Sequence, residues 1–152
     1  SIFHSYMMTL WLETLSLRVR HEVESARRLA EYFPNHPKVE RVSFVGFESH
    51  PSYANAKKYF RFGSSAVFTI ELKGTLDSTV RFVESLNLAA HMVMIGDSVT
   101  VVTHPASTTH KQLSDADLAA AGVTPTMLRI SVGLENTDDL IDDFEQAFAH
   151  IG

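Results

Sequence analysis

From Ser5 to Phe33 nothing in the sequence breaks a helix. Met8, Trp11, Leu12, Leu15, Val19, Val23, Ala26, Leu29, Ala30 and Phe33 recur at spacings of three and four, which makes one apolar stripe on a helix. Glu13, Arg18, Arg20, Glu24, Arg27 and Arg28 fall largely elsewhere on the wheel. At 1.5 Å per residue such a helix is roughly 40 Å long. Pro34 ends it, because the residue before a proline is pushed out of the α region. Its first turns carry Ile2, Phe3, Tyr6, Met7, Met8, Leu10 and Trp11, too many apolar residues for one stripe. They are expected to leave an exposed patch that seeks a partner. There is no initiator Met, and the chain runs straight into the helix pattern. It is therefore expected to be a piece of something longer.

Short elements follow. Val39–Val45 reads as a strand, Ser52–Phe60 as a short helix and Ser65–Leu72 as the strongest strand. Thr75–Leu86 is amphipathic, with Leu76, Val80, Val83 and Leu86 on one face. Val99–Thr103 and Leu128–Val132 read as two more strands. Ser114 caps a short helix with Asp117 in its first turn, and Thr137 opens a terminal helix that buries Leu140, Ile141, Phe144 and Phe148. The pattern predicts an α+β domain with about four mostly antiparallel strands, helices on one face and the long helix at the N-terminus. With 45% hydrophobic and 20% charged residues, residues 1–152 suffice for one core, and one domain is the simplest account.

Composition excludes some chemistry. There is no cysteine, so there are no disulfides, thiolate metal sites or cysteine nucleophiles, which fits a reducing, cytoplasmic compartment. The net charge of −5 and the lack of a basic stripe argue against nucleic acid and anionic membranes. No apolar run reaches the roughly 20 residues a membrane span needs. The first residues lack the basic region and cleavage site of a signal peptide.

The candidate groups are few. His104 and His110 flank a Pro-Ala-Ser-Thr-Thr loop, but no third ligand falls at a motif spacing, so no metal is expected. Ser107, Thr108 and Thr109 offer hydroxyls beside those histidines, yet no nucleophile elbow is present, and hydroxyls after a proline are usual in turns and caps. None of the five lysines sits in an apolar segment where a depressed pKa would suit covalent chemistry. Arg129 lies inside an apolar strand, Met127–Val132, on the face opposite Leu128 and Ile130. Pattern alone leaves two readings open for it. One is a solvated surface arginine, the simpler; the other is a guanidinium fork for a substrate carboxylate.

Several segments come in register with a known family: Leu12-Glu-Thr-Leu-Ser-Leu-Arg18, His36-Pro-Lys-Val39, Ser49-His-Pro51, His104-Pro-Ala-Ser-Thr-Thr-His110, Ala121-Gly-Val-Thr-Pro125 and Leu128-Arg-Ile-Ser-Val-Gly-Leu-Glu135. Together they resemble the C-terminal domain of the pyridoxal-phosphate enzymes of Cys/Met metabolism, which have the fold-type I transferase architecture. The resemblance spans essentially the whole chain. Ser-Thr-Thr-His followed by Ala-Gly-Val-Thr-Pro is most similar to the O-acetylhomoserine sulfhydrylase branch. Cystathionine γ-synthases and lyases and methionine γ-lyases are the neighbouring alternatives.

The resemblance implies that a large domain carrying the cofactor lysine is missing, that this chain has no catalytic lysine and no covalently bound cofactor, and that alone it is inactive. It also implies a homo-oligomer, a homotetramer in the intact enzyme. The implied reaction is γ-replacement on an activated homoserine ester, with sulfide or a thiol as acceptor and the cofactor as electron sink. Arg129 matches the family's arginine for the substrate α-carboxylate. Where the family has a polar residue before Ile95-Gly96-Asp97, this chain has Met94, so only backbone groups could serve there. Met94, His104, Ser107 and Thr108 are expected to line the site, none with a catalytic step. The competing readings are a non-enzymatic α+β interaction module working through the long helix and a hydrolase built on Ser107 and a histidine.

Overall fold

A computed structural model describes residues 1–151. Helix α1 runs Ile2–Tyr32, with the Ser1 hydroxyl accepting from the His4 N–H, and passes into a 3₁₀ turn at Phe33–Asn35. The α-helix stops at Tyr32, ahead of Pro34 as expected, but Phe33 keeps helical angles because Pro34 is tolerated in the first turn of the 3₁₀ segment. Then come β1 (Val39–Ser43), α2 (Tyr53–Tyr59), β2 (Val67–Leu72), α3 (Leu76–Glu84), β3 (Ala90–His91) and β4 (Val101–Thr103). A 3₁₀ turn at Pro105–Ser107, α4 (Asp115–Ala120), β5 (Met127–Ser131) and α5 (Thr137–Ala149) complete the chain.

Five strands form one sheet in the order β1-β2-β5-β4-β3. All neighbours are antiparallel except β3 and β4. The fold is the expected α+β type, with one strand more than the sequence pattern suggests. That strand, β3, is two residues long and exists through its partner: the Ala90 N–H donates to the Thr100 carbonyl and the Met92 N–H to that of Val102. The segment Met92–Thr100 then loops back so that β4 runs parallel to β3.

Strand alternation sorts the sheet into two faces. Phe68, Ile70 and Leu72 of β2 and Leu128 and Ile130 of β5 point into the core against Leu29, Phe33, Phe82, Phe144 and Phe148. Phe33 is the hinge of this cluster, edge-on to Phe144 at 5.2 Å between ring centroids and 6.0 Å from Phe68. Each buried aromatic contributes roughly 1.5–3 kcal/mol from removed apolar surface. Asn136, one residue before the expected Thr137, caps α5 by accepting from the Asp138 N–H. Thr137 instead donates its hydroxyl to Ser25 on α1 at 3.1 Å, tying the two helices together.

Only the C-terminal part of α1 touches this core: Glu22, Ser25, Ala26, Leu29 and Ala30 are its buried residues. Every residue from Ser1 to Leu17 is exposed. Ile2 keeps 92% of its surface and Leu17 keeps 68%. The apolar stripe therefore continues along the helix beyond the surface that the rest of the chain can cover.

Candidate functional site

The opposite face of the sheet is polar, and its middle is Arg129. β5 is the central strand, and Leu128 and Ile130 on either side are fully buried in the core. Period-2 alternation turns the side chain between them to the other face. In register beside Arg129 stand Thr69 of β2 and Thr103 of β4. Its Nη2 donates to the Thr103 hydroxyl at 3.3 Å and to the Met94 carbonyl at 3.5 Å. Its Nε is buried and bonded to nothing.

The charge of Arg129 is also uncompensated. Glu71 occupies the same face, but its carboxylate is held by Arg41 across β1 and β2. No carboxylate among the described residues pairs with Arg129. A half-buried guanidinium with an orphan buried N–H and no counter-ion costs free energy unless an anion completes it. A carboxylate suits the planar fork best, because two parallel charge-assisted bonds form at once.

The loop Met92–Thr100 lies against this arginine and is fastened at several points. The Gly96 N–H donates to the Ser131 hydroxyl at 3.2 Å, and the Leu134 N–H to the Ser98 carbonyl at 2.8 Å. Glu135 accepts from both the N–H and the hydroxyl of Thr100, each at 2.7 Å. Gly133 lets the strands close: a Cβ there would stand 2.5 Å from the Ser98 carbonyl oxygen and 2.6 Å from the Thr100 nitrogen. The segment Ser131–Glu135 is thus a clamp on the loop that presents Met94. Met94 contributes its backbone carbonyl, which holds the arginine; its side chain is exposed.

His104, Ser107 and Thr108 form a separate cluster at the turn after β4. His104 has no exposed surface. Its Nε2 lies 2.9 Å from the Pro125 carbonyl and its Nδ1 2.8 Å from the Ser107 hydroxyl. A carbonyl only accepts, so the proton is assigned to Nε2, and Nδ1 accepts from Ser107. Burial pushes the His104 pKa below its usual value, partly opposed by the Pro125 bond. The Thr108 hydroxyl donates to the His104 carbonyl at 2.7 Å. The Ser-His contact therefore pins a turn: the imidazole is sealed from solvent and both its nitrogens are committed.

Sequence reasoning singled out Arg129 and Met94 but missed Thr103, the residue that touches the guanidinium. The signal was available, since Thr103 ends an antiparallel neighbour of β5 and such pairing sets side chains opposite one another.

Lys38 binds the Phe148 and Ile151 carbonyls at the end of α5, and Lys57, Lys58, Lys73 and Lys111 are exposed.

Comparison with known proteins matches residues 1–149 to the family described as Cys/Met metabolism PLP-dependent enzyme. The chain is 45% identical over 145 residues to the homocysteine synthase of Schizosaccharomyces pombe, covering 95% of this chain and 34% of that protein. It is 42% identical over 151 residues to the O-acetyl-L-homoserine sulfhydrylase of Corynebacterium glutamicum, covering 99% and 35%. The crystal structure of cystathionine gamma synthase from Xanthomonas oryzae pv. oryzae in complex with cystathionine superimposes with a TM-score of 0.88 at 31% identity, covering 99% of this chain and 39% of that one. The chain spans about a third of the length of the curated relatives it matches. With the family's sequence pattern running from the first residue through α5, the chain belongs to the Cys/Met metabolism PLP-dependent enzymes.

Proposed function

We propose that this chain is the C-terminal, substrate-binding domain of an O-acetylhomoserine sulfhydrylase and that Arg129 receives the α-carboxylate of the amino-acid substrate. The observation that carries the site assignment is the guanidinium at the centre of the polar sheet face, with a buried unpartnered Nε and no ion-pair partner. The branch assignment is supported by 42–45% identity to a sulfhydrylase and a homocysteine synthase, against 36–37% to two L-methionine gamma-lyases.

Pyridoxal phosphate, bound elsewhere in the intact enzyme, supplies the electron sink. The residues of this chain bind and orient. Arg129 takes both carboxylate oxygens, and the substrate then pivots about that anchor. Fixing the carboxylate fixes which bond at Cα faces the reacting group, a positioning effect that needs no proton transfer from this domain. Met94 and Thr103 hold the arginine, while Gly133 and Glu135 hold the loop that carries Met94. A large domain of the same polypeptide would cover the exposed stripe Ile2–Leu17, and the intact enzyme would assemble from several copies.

The intact enzyme should convert O-acetylhomoserine and sulfide to homocysteine. Measuring thiol product with sulfide and, separately, cystathionine with cysteine as acceptor tests the branch. Preference for cysteine would move the enzyme to the cystathionine synthase branch and overturn this reading.

A further inference from the structure

We infer that Thr103 is a positioning residue for Arg129: its hydroxyl sets the plane and reach of the guanidinium that would receive the substrate carboxylate. The inference rests on the carboxylate reading of Arg129 and extends it to a residue with no place in that reading's motif.

Thr103 is 2% exposed, at the end of β4, in register with Arg129. Its hydroxyl donates to the Met92 carbonyl at 2.6 Å. That bond uses its only proton, so what it offers Arg129 is a lone pair, and Nη2 meets it at 3.3 Å. A threonine is stiff about χ1 because it is branched at Cβ, so the oxygen cannot swing away without leaving its rotamer. The second contact on the same nitrogen is the Met94 carbonyl, two residues beyond the carbonyl that Thr103 holds. One hydroxyl therefore links both supports of the arginine. It fixes the start of the loop that carries Met94 and touches the guanidinium itself. Nη2 is tied back on the protein side, while Nη1 donates to none of the described residues and remains for an incoming anion. Both contacts of Nη2 are long, which leaves that nitrogen able to share a carboxylate with Nη1.

A merely structural threonine would affect every ligand alike. A positioning residue affects ligands through their carboxylate. The test uses the intact holoenzyme and two amines assayed as competitors of the substrate, L-norvaline and n-butylamine, which differ by that carboxylate. Thr103→Val keeps the shape and removes the oxygen. It should raise the inhibition constant for norvaline about threefold to tenfold, the range of one lost hydrogen bond, and leave butylamine within about twofold. Thr103→Ser restores the oxygen and should return norvaline to within about twofold of wild type. Should the valine variant fail to fold, Thr103→Ala reads the same ratio. An unchanged norvaline constant, or an equal rise for both inhibitors, overturns the inference. Arg129→Ala separates the two levels. If it shifts the norvaline-to-butylamine ratio while Thr103→Val does not, only the positioning role fails. If Arg129→Ala also leaves the ratio unchanged, the carboxylate reading fails.

Discussion

Asp143 carries a prediction whose size can be worked from geometry. It lies on the buried side of α5 among Leu140, Phe144 and Ala147 and is 6% exposed. Its Oδ1 accepts from the Asn87 N–H at 2.8 Å, and its Oδ2 from those of Leu88 at 3.0 Å and Ala89 at 2.9 Å. The Gln146 side-chain amide adds a fourth bond at 3.1 Å. One carboxylate thus satisfies three consecutive backbone donors just before β3. A hydrogen bond to a charged group contributes about 1.5–3 kcal/mol, and a buried donor left without a partner costs about 1–3 kcal/mol. Asp143→Asn keeps one oxygen but turns an NH₂ toward at least one of those donors, and should destabilise by about 2–4 kcal/mol. Asp143→Ala removes the acceptor from all three, leaves the buried Ala89 N–H orphaned, and should cost about 3–5 kcal/mol, a large share of a domain's 5–15 kcal/mol. Urea unfolding followed by circular dichroism reads the loss as a lowered midpoint at constant slope. In the intact enzyme the same variants should raise KM, because β3 leads into the loop bearing Met94. A change in stability below about 0.5 kcal/mol for Asp143→Ala would refute the anchoring argument.

Three other outcomes are expected. Gly133→Ala should cost about 1–3 kcal/mol and raise KM, because its Cβ meets backbone atoms of Ser98–Thr100 that cannot rotate away; unchanged urea midpoint and KM would count against the clamp. Acid should destabilise the fold: burial holds the pKa values of His104 and His36 below the usual 6.5, so the unfolded chain takes up protons first as pH falls, and stability present above about pH 6.5 declines below it. Urea midpoints at pH 7.5 and 5.5 should show this loss and His104→Phe should lessen it, whereas a midpoint rising on acidification would contradict the sign. The isolated chain should self-associate through Ile2–Leu17, so light scattering should give a mass above 16.9 kDa that falls toward it in Trp11→Glu/Leu12→Glu, and a monomer at high concentration would dispose of the idea.

The terminal helix and the strands β2 and β5 were legible because their burial follows a single period, and the long helix because nothing breaks it before Pro34, although only its C-terminal part is buried. β3 was not: Ala90-His91 has no alternation of its own, and only the Thr100 and Val102 carbonyls make it a strand. Arg129 could be placed on the polar face from its neighbours Leu128 and Ile130. Its missing counter-ion could not, since Glu71 being claimed by Arg41 depends on pairing across β1 and β2. His104 reads as a loop residue in the sequence, and its complete burial, with the Pro125 carbonyl 21 residues away on its ring, appears only in the fold. Asp143 was hidden among four acidic residues at the start of α5, although its spacing from Leu140 and Ala147 sets it on the apolar stripe.

Steady-state kinetics of Arg129 variants in the intact enzyme test the central claim most directly. Truncating one partner of a charge-assisted bidentate pair costs about 2–5 kcal/mol, part of it from the carboxylate left unpaired. Arg129→Ala should therefore lower kcat/KM for the amino-acid substrate about 30-fold to several thousand-fold while leaving folding and cofactor content nearly intact. Arg129→Lys should recover only part, because an ammonium cannot reproduce the fork. A kcat/KM near wild type for Arg129→Ala would contradict the account and leave Arg129 a solvated residue of the sheet surface.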